Sequence, residues 1–322
     1  MKRQLALLLV VALCLSLCAC GSETAATPPK AEENILQSTA DWLTGTITEL
    51  GGSYLGSEWT VMAMARSNLE VDEGWFEDYY QSLCADTAEK AGVLDSRKYT
   101  EYSRVILALT AIGKDPTNVA GFNLLLPLAD FDQTVFQGVN GAIFALLALD
   151  SGRYEIPENE NFNTQATRDL YVDYILQSEL SEGGWAFGSA GAGADLTAMA
   201  LQALAKYRDR TDVDAAVERG VKVLSDLQGS SGGYVDYGVE SCETVAQVIV
   251  ALTELGIDLR DERFVKDGHT LEEAMLRFRT DDGGFAHLPE EGADLVATEQ
   301  AFYALVAMAR QAQGLPTLYT MK

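Results

Sequence analysis

Cysteine is scarce beyond the first twenty residues. Cys14, Cys18 and Cys20 cluster at the start, and only Cys84 and Cys242 follow. That distribution excludes a scaffold built on disulfides. Alternating apolar and polar runs of more than a few residues are nearly absent, which argues against a sheet fold. Basic residues are few as well, 23 Lys and Arg against 48 Asp and Glu, for a formal net charge of −25. A surface so acidic repels nucleic acid and gains nothing at an anionic membrane.

The opening residues carry a different signal. Lys2 and Arg3 precede an apolar run from Leu5 to Leu17 that is too short to span a bilayer comfortably and reads as an export signal. The run ends in Leu17-Cys18-Ala19-Cys20-Gly21-Ser22, which resembles the bacterial lipobox. Residues 1–19 are therefore expected to be a lipoprotein signal peptide and Cys20 the lipidated residue. Residues 20–34, rich in Ser, Thr, Ala, Pro and Glu, read as a flexible tether. Residues 35–322 are expected to form one domain. The expected location is the extracytoplasmic face of the cell membrane, reached through the lipid anchor.

From Ile35 onward the chain repeats itself. Gly183, Gly232 and Gly283, spaced by 49 and 51 residues, superimpose three units: YILQSELSEGGWAFG, VLSDLQGSSGGYVDYG and AMLRFRTDDGGFAH, each followed by an Ala-rich and Leu-rich helix. Each unit reads as helix, glycine turn with an aromatic, and second helix. The second helix is apolar nearly all round and belongs inside; the first is charged on one face and belongs outside. Inner-type segments recur upstream at Glu58–Ser67, Glu101–Gly113 and Asn140–Leu149. Their expected outer partners lie near Ile35–Glu49, Trp75–Ala91 and Val119–Ala129. Six such pairs predict an all-α fold, an α/α toroid of six inner and six outer helices whose closure hides the flanks an open array would have to cap.

The glycine-aromatic signature, with Trp185, Tyr234 and Phe285 after helices ending near Gln177 and Gln228, resembles the repeat of squalene cyclases and protein prenyltransferases. Strings such as GKDPTNVAGFNLL and TAMALQALAKY are similar to extracytoplasmic bacterial members of that group. The cobalamin carriers transcobalamin and intrinsic factor share the fold. The resemblance implies an isoprenoid cyclase, a prenyltransferase or a ligand carrier. Aligned on Thr197-Ala198, Asp195 takes the place of the cyclase proton donor, yet Gly193, Ala194 and Leu196 stand where its flanking acids belong. The prenyltransferase zinc positions fall on Thr244 and Ala297, which are not ligands; Cys242 and His287 nearby make a poor metal signal, and no metal is expected. A six-hairpin glycoside hydrolase needs two suitably spaced carboxylates, which so acidic a chain easily supplies.

Acids recur at the starts of inner helices, at Glu58, Glu101, Asp195, Glu243 and Glu299. They would either satisfy free N–H groups at the positive helix ends or form an acidic rim for a cationic or hydroxyl-rich ligand. The leading expectation is a monomeric surface lipoprotein that binds a small molecule, glycan or peptide without catalysis and needs no cofactor. A corrinoid is the first ligand to consider by fold resemblance. The candidate binding residues are Trp59, Tyr102, Trp185, Asp195, Tyr234, Tyr237, Glu243, Phe285 and Glu299, with Asp195 catalytic if the protein is cyclase-like. Enzymes of the cyclase superfamily, a carbohydrate-active hydrolase and a protein-docking module are the alternatives.

Overall fold

The computed structural model describes residues 30–48, 50, 57–188, 191–236 and 238–322. The proposed signal peptide, Cys20 and most of the proposed tether lie outside the described residues. Among the described residues, twelve α-helices alternate between two layers. The inner layer comprises α2 (Ser57–Arg66), α4 (Thr100–Ala111), α6 (Val139–Ser151), α8 (Ala194–Leu204), α10 (Cys242–Glu254) and α12 (Leu295–Ala312). The outer layer comprises α1 (Lys30–Thr46), α3 (Glu73–Glu89), α5 (Phe131–Thr134), α7 (Arg168–Gln177), α9 (Thr211–Leu227) and α11 (Leu271–Leu276). The first helix among the described residues thus begins at Lys30, inside the segment whose composition reads as tether.

Burial explains the division. α6 buries Ala142, Ile143, Ala145, Leu146, Leu147, Ala148 and Leu149, so no face is left for water. α9 buries only Val213, Ala216, Val217, Gly220, Val221 and Leu224, one stripe at three- and four-residue spacing. Each inner helix packs on the next around the ring, from α2 through α12, and α12 packs back on α2. The outer helices α7, α9 and α11 pack on the inner helix that precedes them in the chain, and α1 packs on α12. The first and last elements therefore close the toroid on both layers.

The glycine turns work as anticipated. Gly183 and Gly184 take φ of 91° and 74°, a region that side chains with a Cβ rarely adopt. A Cβ on Gly184 would also stand 2.9 Å from that of Ala192. The turn is then clamped to the following inner helix. Thr197 Oγ1 accepts from the Trp185 N–H at 3.0 Å and donates back to the Trp185 carbonyl at 3.3 Å. Thr298 does the same for Phe285, at 2.8 and 3.1 Å.

Two expectations need correction. The third outer helix does not span Val119–Ala129. That stretch holds a β-bridge between Val119 and Phe122 and a single 3₁₀ turn at Pro127–Ala129, and the outer position is filled by the four-residue α5. Pro127 cannot continue a helical hydrogen-bond ladder, and Asp130 restarts one by accepting from the Gln133 N–H at 3.2 Å. So short a helix holds its place because Gly141 of α6 lets it in: a Cβ there would lie 1.9 Å from the Thr134 carbonyl oxygen. The second correction is a small hairpin of β1 (Val235–Asp236) and β2 (Val239–Glu240) beside the second glycine turn. Two residues per strand are too few for alternation to register in a sequence.

The ends of the ring differ. Where the inner helices terminate, residues Pro316–Lys322 cross the opening. Arg66 donates to the carbonyls of Thr317, Leu318 and Thr320 at 2.8, 3.1 and 2.8 Å, Arg310 donates to Pro316 at 2.7 Å, and the Glu254 carboxylate accepts from the Tyr319 N–H at 3.0 Å. Leu318 and Tyr319 are buried. Three inner helices thus grip the tail, which stops that end of the axis. The opposite end is lined by the first turns of the inner helices.

Candidate functional site: the mouth of the ring

The first turns of the inner helices carry polar side chains in a common register. The second residue is Glu58 in α2, Glu101 in α4, Asn140 in α6, Asp195 in α8 and Glu243 in α10; in α12 the acid comes one turn on, at Glu299. Asn140 escapes a search for acids, although its position matches theirs. A carboxylate at such a place is favoured by the helix dipole and by free N–H groups. That explanation would suffice if the oxygens accepted those N–H groups.

Several do not. Both carboxyl oxygens of Glu58, Oδ1 of Asn140, Oδ1 of Asp195, Oε2 of Glu299 and the Arg104 Nε are buried without a hydrogen-bond partner. These five residues come from five of the six inner helices. Glu58 is 1% exposed and Glu299 4%. Buried polar groups are almost always paired, because each lost hydrogen bond costs about 1–3 kcal/mol. Such groups, gathered near the first turns of the inner helices, mark a place for water or a ligand.

The environment tunes these acids. Burial, opposed by Arg104 and reinforced by Glu58 and Asp294, pushes the Glu299 carboxyl up to about 8. Burial also lifts Asp195 to about 6, with a Thr244 hydrogen bond pulling down and Asp236 and Glu243 pushing up. Glu101 is raised by burial too, though its ion pair with Arg104 opposes this. Glu243 is held differently: both its oxygens lie 2.9 Å from His287 Nδ1, and this contact raises the imidazole. Near neutral pH the mouth therefore presents a protonated Glu299.

Aromatic and amide side chains line the next turn down. The Trp59 ring lies 5.6 Å from Phe144 and 5.9 Å from Tyr303, bridging α2 to α6 and to α12. Gln247 donates to the Tyr303 hydroxyl and to Gln300 Oε1, and Gln202 donates to Gln247 Oε1 at 2.9 Å. Trp59 and Phe144 are half-buried. Among the described residues, no group of His, Cys, Asp or Glu is arranged to hold a metal ion. Cys242 is buried and meets His287 only through its main-chain N–H, 3.2 Å from the His287 carbonyl.

Of the residues singled out from the sequence, Trp59, Asp195, Glu243 and Glu299 come together at the mouth. Trp185, Tyr234 and Phe285 do not reach it: each is completely buried as a wedge behind its glycine turn. The Trp185 indole donates to the Ile175 carbonyl at 2.7 Å. Tyr102 is likewise structural, its hydroxyl accepting from the Leu94 N–H at 3.0 Å. These four leave the binding set. Tyr237 lies outside the described residues. Arg104, Asn140, Phe144, Gln247 and Tyr303 join instead. Arg104 was readable three residues after Glu101, the spacing of a helical ion pair.

A cavity of about 750 Å³ lies away from the mouth, on the flank of α12, where the six-residue α11 leaves the inner layer thinly covered. Leu36, Leu69, Leu276, Leu305 and Met308 line much of it. Its half-buried Arg66 and buried Arg310 already donate to backbone carbonyls, and none of the unpartnered buried atoms borders it. The unpartnered buried carboxyls lie at the mouth.

No family model matches the chain, and no curated protein does. Solved structures do. The unsaturated glucuronyl hydrolase from Bacillus sp. GL1, responsible for the degradation of glycosaminoglycan, is 13% identical with a TM-score of 0.58, over 91% of this chain and 98% of that one. A UGL variant with dGlcA-Glc-Rha-Glc is 12% identical with a TM-score of 0.59, over 91% and 98%. A type II terpene cyclase from Scytonema, in complex with merosterolic acid A, is 12% identical with a TM-score of 0.57, over 87% and 97%. At such identities the likeness is one of fold, and the chain has the α/α toroid architecture that these two kinds of enzyme share.

Proposed function

We propose that the protein captures a hydroxyl-rich, oligosaccharide-type ligand at the mouth of its ring, displayed outside the cell on a lipid attached to Cys20. The observation that carries this reading is the set of unpartnered polar atoms on five inner helices. Sugar hydroxyls both donate and accept, so they suit a surface that mixes carboxyl oxygens, a protonated carboxyl, an amide oxygen and a guanidinium N–H. The half-buried face of Trp59 offers a stacking surface for a pyranose ring. The fold neighbour that degrades glycosaminoglycan supports carbohydrate as the ligand class. A cyclase needs a closed apolar cavity to steady carbocations, and this mouth is polar.

Hydrolysis at the same place is the second reading, favoured by Asp195 and Glu299. Two carboxyls driven to different proton affinities are the raw material of general acid and base in glycoside cleavage. Thermal stabilisation by oligosaccharides, corrinoids, isoprenoid diphosphates and peptides tests both readings, since a ligand that binds only the folded state raises Tm. A shift with oligosaccharides alone supports the proposal, and cleavage products by mass spectrometry would move it to hydrolysis. A shift with corrinoids or peptides alone defeats it. Attachment is tested separately: Cys20→Ser should release the protein into the medium, and an unchanged membrane fraction contradicts the anchor.

A further inference from the structure

The mouth is unbalanced in charge, and the imbalance points to one feature of the ligand. Around α2, α4 and α12, three carboxyls, Glu58, Glu101 and Glu299, gather about Arg104, with Lys98 adding its charge at Glu101 and Arg104 the one cation acting on Glu299. Arg104 is engaged through its Nη2 by Glu101, and neither Glu58 oxygen has a hydrogen-bond donor. Toward α8 and α10, Asp195, Asp236 and Glu243 lie together with His287, which Glu243 holds. None of the cation–π pairs among the described residues uses Trp59, Phe144 or Tyr303, whose rings meet beside these acids.

We infer that the ligand carries a protonated amine, which sits against Glu58 and Glu299 with the Trp59 ring beside it. This rests on the oligosaccharide reading and narrows it to amino sugars with a free amine. An ammonium brings three N–H donors to the unpartnered oxygens and a charge to the aromatic faces, so both deficits are met by one group. A uronate would bring another negative charge to a mouth that already has too many. The groups facing Glu299 are Arg104 from α4, Glu58 from α2, and Asp294 and Tyr303 from its own helix and cap. With one cation among them, the buried carboxyl keeps its proton while the site is empty. An arriving ammonium favours its ionisation, so binding should release a proton.

The test is calorimetric titration of the purified protein with two tetramers of the same backbone, one of glucosamine and one of N-acetylglucosamine, in two buffers of different ionisation enthalpy. The free-amine tetramer is expected to bind about tenfold more tightly or better, with proton release. That preference should collapse in Glu58→Gln and Glu299→Gln, both checked for an unchanged fold by circular dichroism. Equal or tighter binding of the acetylated tetramer overturns the amine inference while leaving the oligosaccharide reading standing. Binding of neither overturns both, and a preference that survives both substitutions places the amine elsewhere and refutes the assignment.

Discussion

Tyr303 of α12 lies with its ring 5.9 Å from that of Trp59 in α2, across the seam where the last inner helix meets the first. The contact joins ring closure to the mouth. Because Trp59 also reaches Phe144 of α6, a single side chain ties three inner helices at the level just below the unpartnered acids. Trp59→Ala should therefore abolish ligand capture and lower stability by about 2 kcal/mol, a half-buried aromatic being worth less than a core one. Trp59→Phe should retain much of both. Urea unfolding together with ligand titration separates the two effects.

Glu299 makes stability depend on pH in an unusual direction for a carboxyl. Its folded pKa of about 8 stands above the ordinary 4.5, so the folded chain holds a proton that the unfolded chain releases between these values. Stability from this group is intact below about 4.5 and declines as pH rises toward 8. Asp195, raised to about 6, adds a smaller decline at lower pH. Glu299→Gln should flatten the fall and make the protein more stable at pH 8, by an order of a few kcal/mol. Chemical denaturation across the pH range checks it, and a steeper fall in the variant would contradict the burial argument.

Removal of residues 316–322 should destabilise the ring by about 3 kcal/mol or more. Arg66, Arg310 and Glu254 would lose the main-chain partners that make their burial tolerable, and the apolar surface of Leu318 and Tyr319 would be lost. Guanidinium melts of the truncated chain measure the loss.

Gly141→Ala is expected to cost about 1–3 kcal/mol, although alanine is the better helix former. The new Cβ would stand 1.9 Å from the Thr134 oxygen and force α5 off α6. A matching Gly→Ala change at exposed Gly45 of α1, where no atom lies within 4 Å, should be neutral or stabilising. The pair, compared by thermal melting, tests whether backbone contact seats the third outer element.

Thr197→Val and Thr298→Val remove the clamps behind the Trp185 and Phe285 turns while keeping side-chain volume. Each should cost about 1–3 kcal/mol, since a buried backbone N–H loses its acceptor. Faster amide exchange at Trp185 or Phe285 would report the opened clamp.

The ring could be read from the chain because α6, α8 and α10 are apolar on every side and three glycine turns repeat at nearly constant spacing. The third outer helix could not, because α5 is seated by a backbone contact at Gly141 and not by an apolar stripe. At the mouth, dipole logic located Glu58, Asp195, Glu243 and Glu299, whereas Asn140 carries no charge to attract notice. The aromatics behind the glycines stood out by repetition, yet repetition reflects packing, and they are buried. Whether an acid caps its helix or stays without a partner depends on side-chain placement, which is a three-dimensional property.

The central claim is that the mouth, and not the cavity beside α12, takes the ligand. Calorimetric titration with an oligosaccharide identified in the thermal panel, on the unaltered protein, on Glu58→Gln and on Met308→Trp in the flanking cavity, tests it most directly. The account predicts saturable binding that falls at least about tenfold in Glu58→Gln and is unchanged in Met308→Trp. Binding that survives Glu58→Gln and disappears in Met308→Trp would contradict it.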